Sequence, residues 1–259
     1  MDNSKFHSNV TTATRLRKTA CRAVLCTIAL LATGAASAAD WGIDPVRVDL
    51  SEKLQTAAII LTNNSDQPTS IQIQVVAWSQ VDGKDVYTPS RELLVSPPIV
   101  TIPAKSEQVV RAALRRQADA SDELSYRINL QELPPPAAPG FTGVQVALRI
   151  GLPVFVQSQK GGAAPKMVWD VVRMSDNTLK LELKNQGNAH VQVIDFSLSL
   201  PESAQAIAGE SGSSYVMAGQ SREWLLKSSS NATIADGRLR LKAFTDAGDV
   251  DTELVLGKP

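Results

Sequence analysis

The residues of this 259-residue chain that could do chemistry are few. Catalysis needs a reactive group held beside an acid, a base or a metal. Beyond residue 38 the sequence has one histidine, His190, and no cysteine, because Cys21 and Cys26 both lie before that point. A lone histidine between strand-like segments reads as a structural or surface residue. Gly209-Glu210-Ser211-Gly212 lacks the spacing of a nucleophile elbow and reads as part of a Gly/Ser loop. Asp246, Asp249 and Asp251 suggest calcium, yet the ligand loop and its closing glutamate are missing, so they read as a solvated hairpin tip. No glycine-rich phosphate loop follows a strand. The sequence points away from an enzyme and implies no cofactor and no metal site.

What remains is binding, and one stretch is suited to it. Asn129 to Val156 reads NLQELPPPAAPGFTGVQVALRIGLPVFV: the end of a strand, a proline-rich loop, then a strand of strict alternation. Val144, Val146, Leu148 and Ile150 share one face, and Gln145, Ala147 and Arg149 the other. Such a row is either core or a ladder offered to an extended partner, which would add a strand through main-chain bonds. Periodicity alone favours core. Against that, the strand is the last before a linker, where strands often lie at a sheet edge, and its row carries no blunting charge.

The elements around this stretch read as strands. Val46, Val48 and Leu50 alternate; Ala57 to Thr62 stops at the turn cluster Asn63-Asn64-Ser65-Asp66; Ser70 to Trp78 alternates again. Leu93 to Ile102 and Glu107 to Leu114 follow, and no segment of this half has a sustained helical period with caps. Ser158 to Pro165 reads as a linker. Beyond it the order of elements repeats: TAAIILTNNSDQPTSIQIQVVAW corresponds to TLKLELKNQGNAHVQVIDFSL, and IPAKSEQVVRAAL to VMAGQSREWLLK. The chain closes with Arg238 to Phe244, a turn at Asp246 to Asp249, and Val250 to Leu256. Turn signals every eight to twelve residues suggest antiparallel sandwiches.

At the N-terminus, Arg15, Arg17, Lys18 and Arg22 precede an apolar run from Ala23 to Ala32 and the small-residue site Ala36-Ser37-Ala38. That order predicts a signal peptide over residues 1–38, too short in its apolar run to span a membrane comfortably. Five of the 26 basic and one of the 26 acidic residues lie there, leaving 21 against 25, a net charge near −4. An acidic chain argues against nucleic acid as a partner. An exported chain without thiols must hold together by packing alone.

Several features then fall in a recognisable order: Arg47, Ala77-Trp78, Pro97-Pro98, the segment IPAKSEQVVR ending at Arg111, and Asn129 to Pro135 as N-L-x-E-L-P-P before the alternating strand and PVFV. In these the chain resembles the periplasmic pilus-assembly chaperones, the PapD-like family, over most of its exported length. Tyr126-Arg127 and the LPVFV ending are most similar to the archaic branch associated with spore-coat-protein-U-like pili.

The resemblance implies an all-β protein of two immunoglobulin-like β-sandwich domains in a boomerang arrangement. Residues 39–157 would be the N-terminal chaperone domain, 158–165 the linker and 166–259 the C-terminal domain. It implies a periplasmic chaperone that complements pilus subunits with a donor strand and delivers them to an outer-membrane usher. Val144, Val146, Leu148 and Ile150 would be the donor residues, and Arg47 the anchor for the subunit's C-terminal carboxylate. The lysine common on the last strand is replaced by Pro153, so either Arg47 works alone or another cation takes part, with Arg127 and Arg149 as the candidates. Glu123 and Asp236 match acidic positions of an interdomain network, whereas Gln157 stands where a basic residue is usual. Arg111 fits a family strand position, as a surface or interdomain pair or as a ligand contact. Self-association of the free protein stays open. The alternative function is a structural or adhesive immunoglobulin-like surface protein without chaperone activity.

Overall fold

The computed structural model describes residues 40–136, 144–175, 177–228 and 237–257. The expected signal segment, residues 137–143 of the proline-rich loop, and Asp236 lie outside them. All regular structure among the described residues is β. The first ten strands are β1 (Trp41–Asp44), β2 (Val48–Leu50), β3 (Thr56–Asn63), β4 (Thr69–Val81), β5 (Lys84–Pro89), β6 (Leu93–Ser96), β7 (Ile99–Ile102), β8 (Ser106–Leu114), β9 (Leu124–Leu133) and β10 (Arg149–Val156). Seven more follow: β11 (Met167–Ser175), β12 (Thr178–Asn185), β13 (Val191–Ser199), β14 (Ala206–Val216), β15 (Ser221–Lys227), β16 (Arg238–Thr245) and β17 (Val250–Gly257).

In the N-terminal sandwich one sheet runs β1-β3-β8-β6, and the other runs β2-β10-β9-β4-β5 with β7 also on β4. The alternating rows meet between them. Ile59 and Leu61 from β3, Ile71 and Ile73 from β4, and Ile128 and Leu130 from β9 are all buried in one core. Period-2 patterning is what allows this, since each strand gives one face to the core and leaves the other free. In the C-terminal sandwich, β14-β13-β16-β17 and β11-β12-β15 enclose a second core built on Trp169, Phe196 and Trp224. β17 joins the two sheets by a short parallel pairing with β11. The chain is thus two immunoglobulin-like sandwiches.

The internal repeat has a physical counterpart in two asparagines. Asn63 ends β3 with none of its surface exposed. Its Nδ2 donates to the carbonyls of Gln67, Ile102 and Pro103, and its Oδ1 accepts from Ser65. Asn185 ends β12 at the matching place in the repeat and is 1% exposed. It donates to the carbonyls of Ala189 and Val216 and accepts from the N–H groups of Lys166 and Gly187. Each staples its turn to a neighbouring chain segment with a side chain that has both donor and acceptor.

Two segments differ from expectation. Gly209 to Gly212 belongs to the edge strand β14, not to a loop. A Cβ at Gly209 would stand 2.6 Å from the Phe196 carbonyl, so glycine there permits close pairing with β13. The regular pairing of β10 begins at Arg149, five residues after Val144. One further bond, from the Glu132 N–H to the Leu148 carbonyl, prolongs the ladder. Its partner β9 then gives way to Pro134-Pro135-Pro136, which have no N–H to offer.

Replacing Asn63 or Asn185 with alanine orphans several buried main-chain groups, and each substitution is expected to cost about 3 kcal/mol. Urea unfolding checks this; a loss under about 1 kcal/mol would show that the turns hold without their staples.

Candidate functional site

The feature that distinguishes β10 is its uneven neighbourhood. Against β9 it pairs along its whole length, Arg149↔Gln131 through Val156↔Leu124. On its other side β2 pairs in parallel with Val154, Phe155 and Val156 alone. In an antiparallel ladder, alternate residues turn both backbone groups to the same neighbour. The bond at Leu148 fixes the phase, so Leu148, Ile150 and Leu152 address β9. Arg149 and Gly151 turn their N–H and C=O groups the other way, where no strand among the described residues lies beside them. Pro153 has the same outward phase, and its missing N–H therefore leaves the β9 ladder unharmed.

Side chains divide by the same parity. Leu152, Val154 and Val156 enter the N-terminal core, and Leu148 and Ile150 pack partly against it. Val144 and Val146, which lead into the strand, are 88% and 78% exposed. The four residues expected to form one row are thus two exposed and two half-covered. Odd-numbered side chains point to the opposite face of the sheet, which meets the C-terminal sandwich at Phe155.

The three candidate arginines all lie on that opposite face, in different circumstances. Arg47, just before β2, donates from Nε to Asp49 at 3.1 Å and from Nη1 to Asp246 at 2.8 Å. Arg127 of β9 crosses the strand at Gly151, where a Cβ would stand 2.8 Å from its Cδ. Its guanidinium lies 4.1 Å over the Trp78 ring, and Nη1 donates to the Tyr87 hydroxyl at 2.7 Å. No carboxylate among the described residues pairs with Arg127, and its shielded Nε has no acceptor. Arg149 is exposed, across from Gln131. Arg111 is exposed on β8, in the other sheet of the sandwich.

Asp246 overturns the reading of its turn as a solvated tip. Its side chain is 20% exposed and receives Arg47 and the Gln192 N–H. Its Oδ2 also lies 3.3 Å from Nε2 of His190. On the other side of that ring, Nδ1 meets Glu123 at 2.6 Å, and the ring stacks on Phe155 with centroids 3.5 Å apart. Glu123 thus takes part in a contact between sandwiches with His190 as its basic partner, while Arg47 serves Asp246. Gln157 contributes its backbone N–H to Leu50. Burial works against a charged His190, but the flanking carboxylates Asp246 and Glu123 outweigh it and raise the pKa above its ordinary 6.5. Burial likewise pulls Asp246 upward, yet His190, the Gln192 N–H and Arg47 hold it below its ordinary 3.8. Sequence reasoning missed this pairing because nothing local signals it.

Residues 41–160 match the family model described as "Pili and flagellar-assembly chaperone, PapD N-terminal domain". No curated protein matches the sequence. Among solved structures, the fold is similar to a chain of the CsuC–CsuE chaperone-tip adhesion subunit pre-assembly complex from archaic chaperone-usher Csu pili of Acinetobacter baumannii. Identity is 21% and the TM-score 0.60, covering 85% of this chain and 100% of that one. A chain of the Salmonella enterica SafA pilin–SafB chaperone complex matches at 17% identity and TM-score 0.59, covering 86% and 99%. The E. coli chaperone DraB matches at 16% and 0.54, covering 83% and 95%. At these identities the likeness is one of fold.

The interdomain contact has a pH signature with a definite sign. A raised His190 pKa gives stability that is complete below 6.5 and is lost as pH rises through the folded value. A depressed Asp246 pKa gives stability present above 3.8 and lost as pH falls through its lower folded value. The melting-temperature difference between the protein and its His190→Gln variant is therefore expected to be widest in the mildly acidic range and to shrink toward alkaline pH. A difference that stays constant with pH would mean that the ring is not charged in the contact.

Proposed function

From the match of residues 41–160 to the family model of pili and flagellar-assembly chaperones, we propose that the chain is a periplasmic chaperone for pilus subunits. It binds an incomplete immunoglobulin-like subunit by donating β10 and the segment before it, and passes the subunit to an outer-membrane usher. The observation that carries the reading is the half-paired β10, whose open edge is prolonged by the exposed Val144 and Val146. An edge strand with uncharged aliphatic residues is a template for another chain. Leu148 and Ile150 would continue the row by turning from partial cover toward the subunit.

Donor-strand exchange needs no nucleotide or metal, since one strand replaces another of similar hydrogen-bonding capacity. Subunit anchoring through a carboxylate falls to Arg127 more readily than to Arg47. Arg47 already holds two carboxylates, whereas Arg127 pairs directly with none among the described residues and rests on aromatic rings and a phenol. Arg149 lies beside the open edge and would assist from solvent. A surface adhesin without chaperone activity is disfavoured by the family match and by an edge left open rather than covered. A periplasmic site of action agrees with the signal-like N-terminal sequence and with the absence of cysteines beyond it.

Co-expression with the pilus subunit encoded beside this gene tests the reading. Val144→Asp and Val146→Asp change exposed side chains, so the chaperone stays folded, and the recovered complex is expected to fall by about tenfold or more. An undiminished complex with both aspartates in place would exclude this strand as the donor.

A further inference from the structure

The unneutralised guanidinium of Arg127 is held by a chain of hydrogen bonds that begins at the other sandwich. Gln80 of β4 is 5% exposed. Its Oε1 accepts the Met217 N–H at 3.0 Å, and its Nε2 donates to the Tyr215 carbonyl at 2.9 Å. The same Nε2 donates to Oδ1 of Asp85 at 2.9 Å, which also accepts from Trp78 Nε1 at 3.0 Å. The other Asp85 oxygen accepts the Tyr87 hydroxyl at 3.1 Å, and that hydroxyl accepts from Arg127 Nη1 at 2.7 Å. Trp78 and Tyr87 form the aromatic bed beneath the cation. Every link has its donor and acceptor assigned by chemistry: the phenol can serve Arg127 as acceptor because it spends its proton on Asp85.

The arrangement solves a specific problem. A carboxylate touching Arg127 directly would neutralise it and occupy its donors. Asp85 stands one hydroxyl away, so it fixes the guanidinium without pairing with it. Partial burial pulls the Asp85 carboxyl upward, but hydrogen bonds from Gln80, Trp78 and Tyr87 and the nearby charge of Arg127 hold it below 3.8, so it stays an acceptor at neutral pH. The Nε is shielded against Gly151, so an external anion would be met by the terminal Nη groups of the guanidinium.

We propose that Gln80, Asp85 and Tyr87 are positioning residues that set Arg127 as the carboxylate-recognising cation of the cleft and tie its orientation to contact with the C-terminal sandwich. The ligand class is a chain ending in a free carboxylate, laid along the open edge of β10. This rests on the chaperone reading above. It adds that recognition of the chain end depends on residues that never touch it.

The test uses a short peptide of alternating valine and threonine with a free C-terminal carboxylate, and the same peptide as its C-terminal amide. Binding is followed by isothermal titration with the full exported chain and with Asp85→Asn, Tyr87→Phe, Arg127→Ala and Val146→Asp variants. Folding of each variant is checked by its melting transition. The protein is expected to prefer the carboxylate form by about tenfold, the scale of one charge-assisted hydrogen bond. Arg127→Ala abolishes the preference; Asp85→Asn and Tyr87→Phe reduce it to under about threefold while leaving affinity for the amide unchanged. A preference that survives intact in both Asp85→Asn and Tyr87→Phe overturns the relay, as does equal binding of the two peptides. A carboxylate preference that follows the relay variants but ignores Val146→Asp upholds the relay and counts against the donor strand. Binding of neither peptide overturns both.

Discussion

β2 is three residues long, and much of the molecule depends on that length. An inner strand of a sheet has a neighbour on each side, and β10 receives its second neighbour only from Val154 onward. One half of the strand is therefore architecture: its side chains fill the N-terminal core and carry Phe155 to the contact with the C-terminal sandwich. The other half keeps polar backbone facing outward. An unpaired edge is normally a liability in water, and proteins usually guard it with charge or cover it. Here the unpaired stretch of the strand has Arg149 as its own charged residue, and the row leading into the edge is aliphatic. A longer β2 would have completed the sheet and left the molecule nothing to offer.

The contact between the sandwiches works on different terms from the cores. It has a small apolar cluster of Trp78, Phe155 and Met217, packed by Tyr215, and around it a set of charges and amides. Asp246 links Arg47 and His190, while Gln80 binds backbone of the opposite sandwich and Asp85 of its own hairpin. Polar networks of this kind gain more in geometry than in net energy, because desolvation offsets much of the attraction. Their value here is angular: they fix how the face bearing Arg127 stands toward its neighbour. Arg47 and Arg127, both expected as cleft arginines, are divided by this network into one that joins the sandwiches and one without a directly paired carboxylate among the described residues.

Legibility in the sequence followed the range of the interaction. Rows such as Ile59-Leu61 and Ile71-Ile73 announce themselves because strand period and burial are the same local fact. The Asn63 and Asn185 turns were readable for a similar reason, since the repeat aligns two residues with one job. Gly209 to Gly212 misled because small polar composition resembles a loop, while the need for glycine came from the neighbouring carbonyl of Phe196. The start of β10 was placed early because alternation continues through Val144, but pairing requires a partner, and three prolines end it. Asp246 was opaque altogether: its partner Arg47 lies 199 residues away, so no spacing rule reaches it. For the candidate site, the row before β10 and the three arginines could be picked out by type and place. Their separate states of pairing could not.

Pro153 acquires a meaning beyond the lysine it stands in for. Along the open edge the donors run Arg149, Gly151, and then stop, since proline has no N–H. A strand laid there cannot slide two residues toward β2 without leaving a carbonyl unserved, at a cost of about 1 kcal/mol or more. The edge is therefore indexed: an added strand would be served in one reading frame, and Pro153 would mark where its pairing ends. The mark falls directly opposite Arg127 in the ladder.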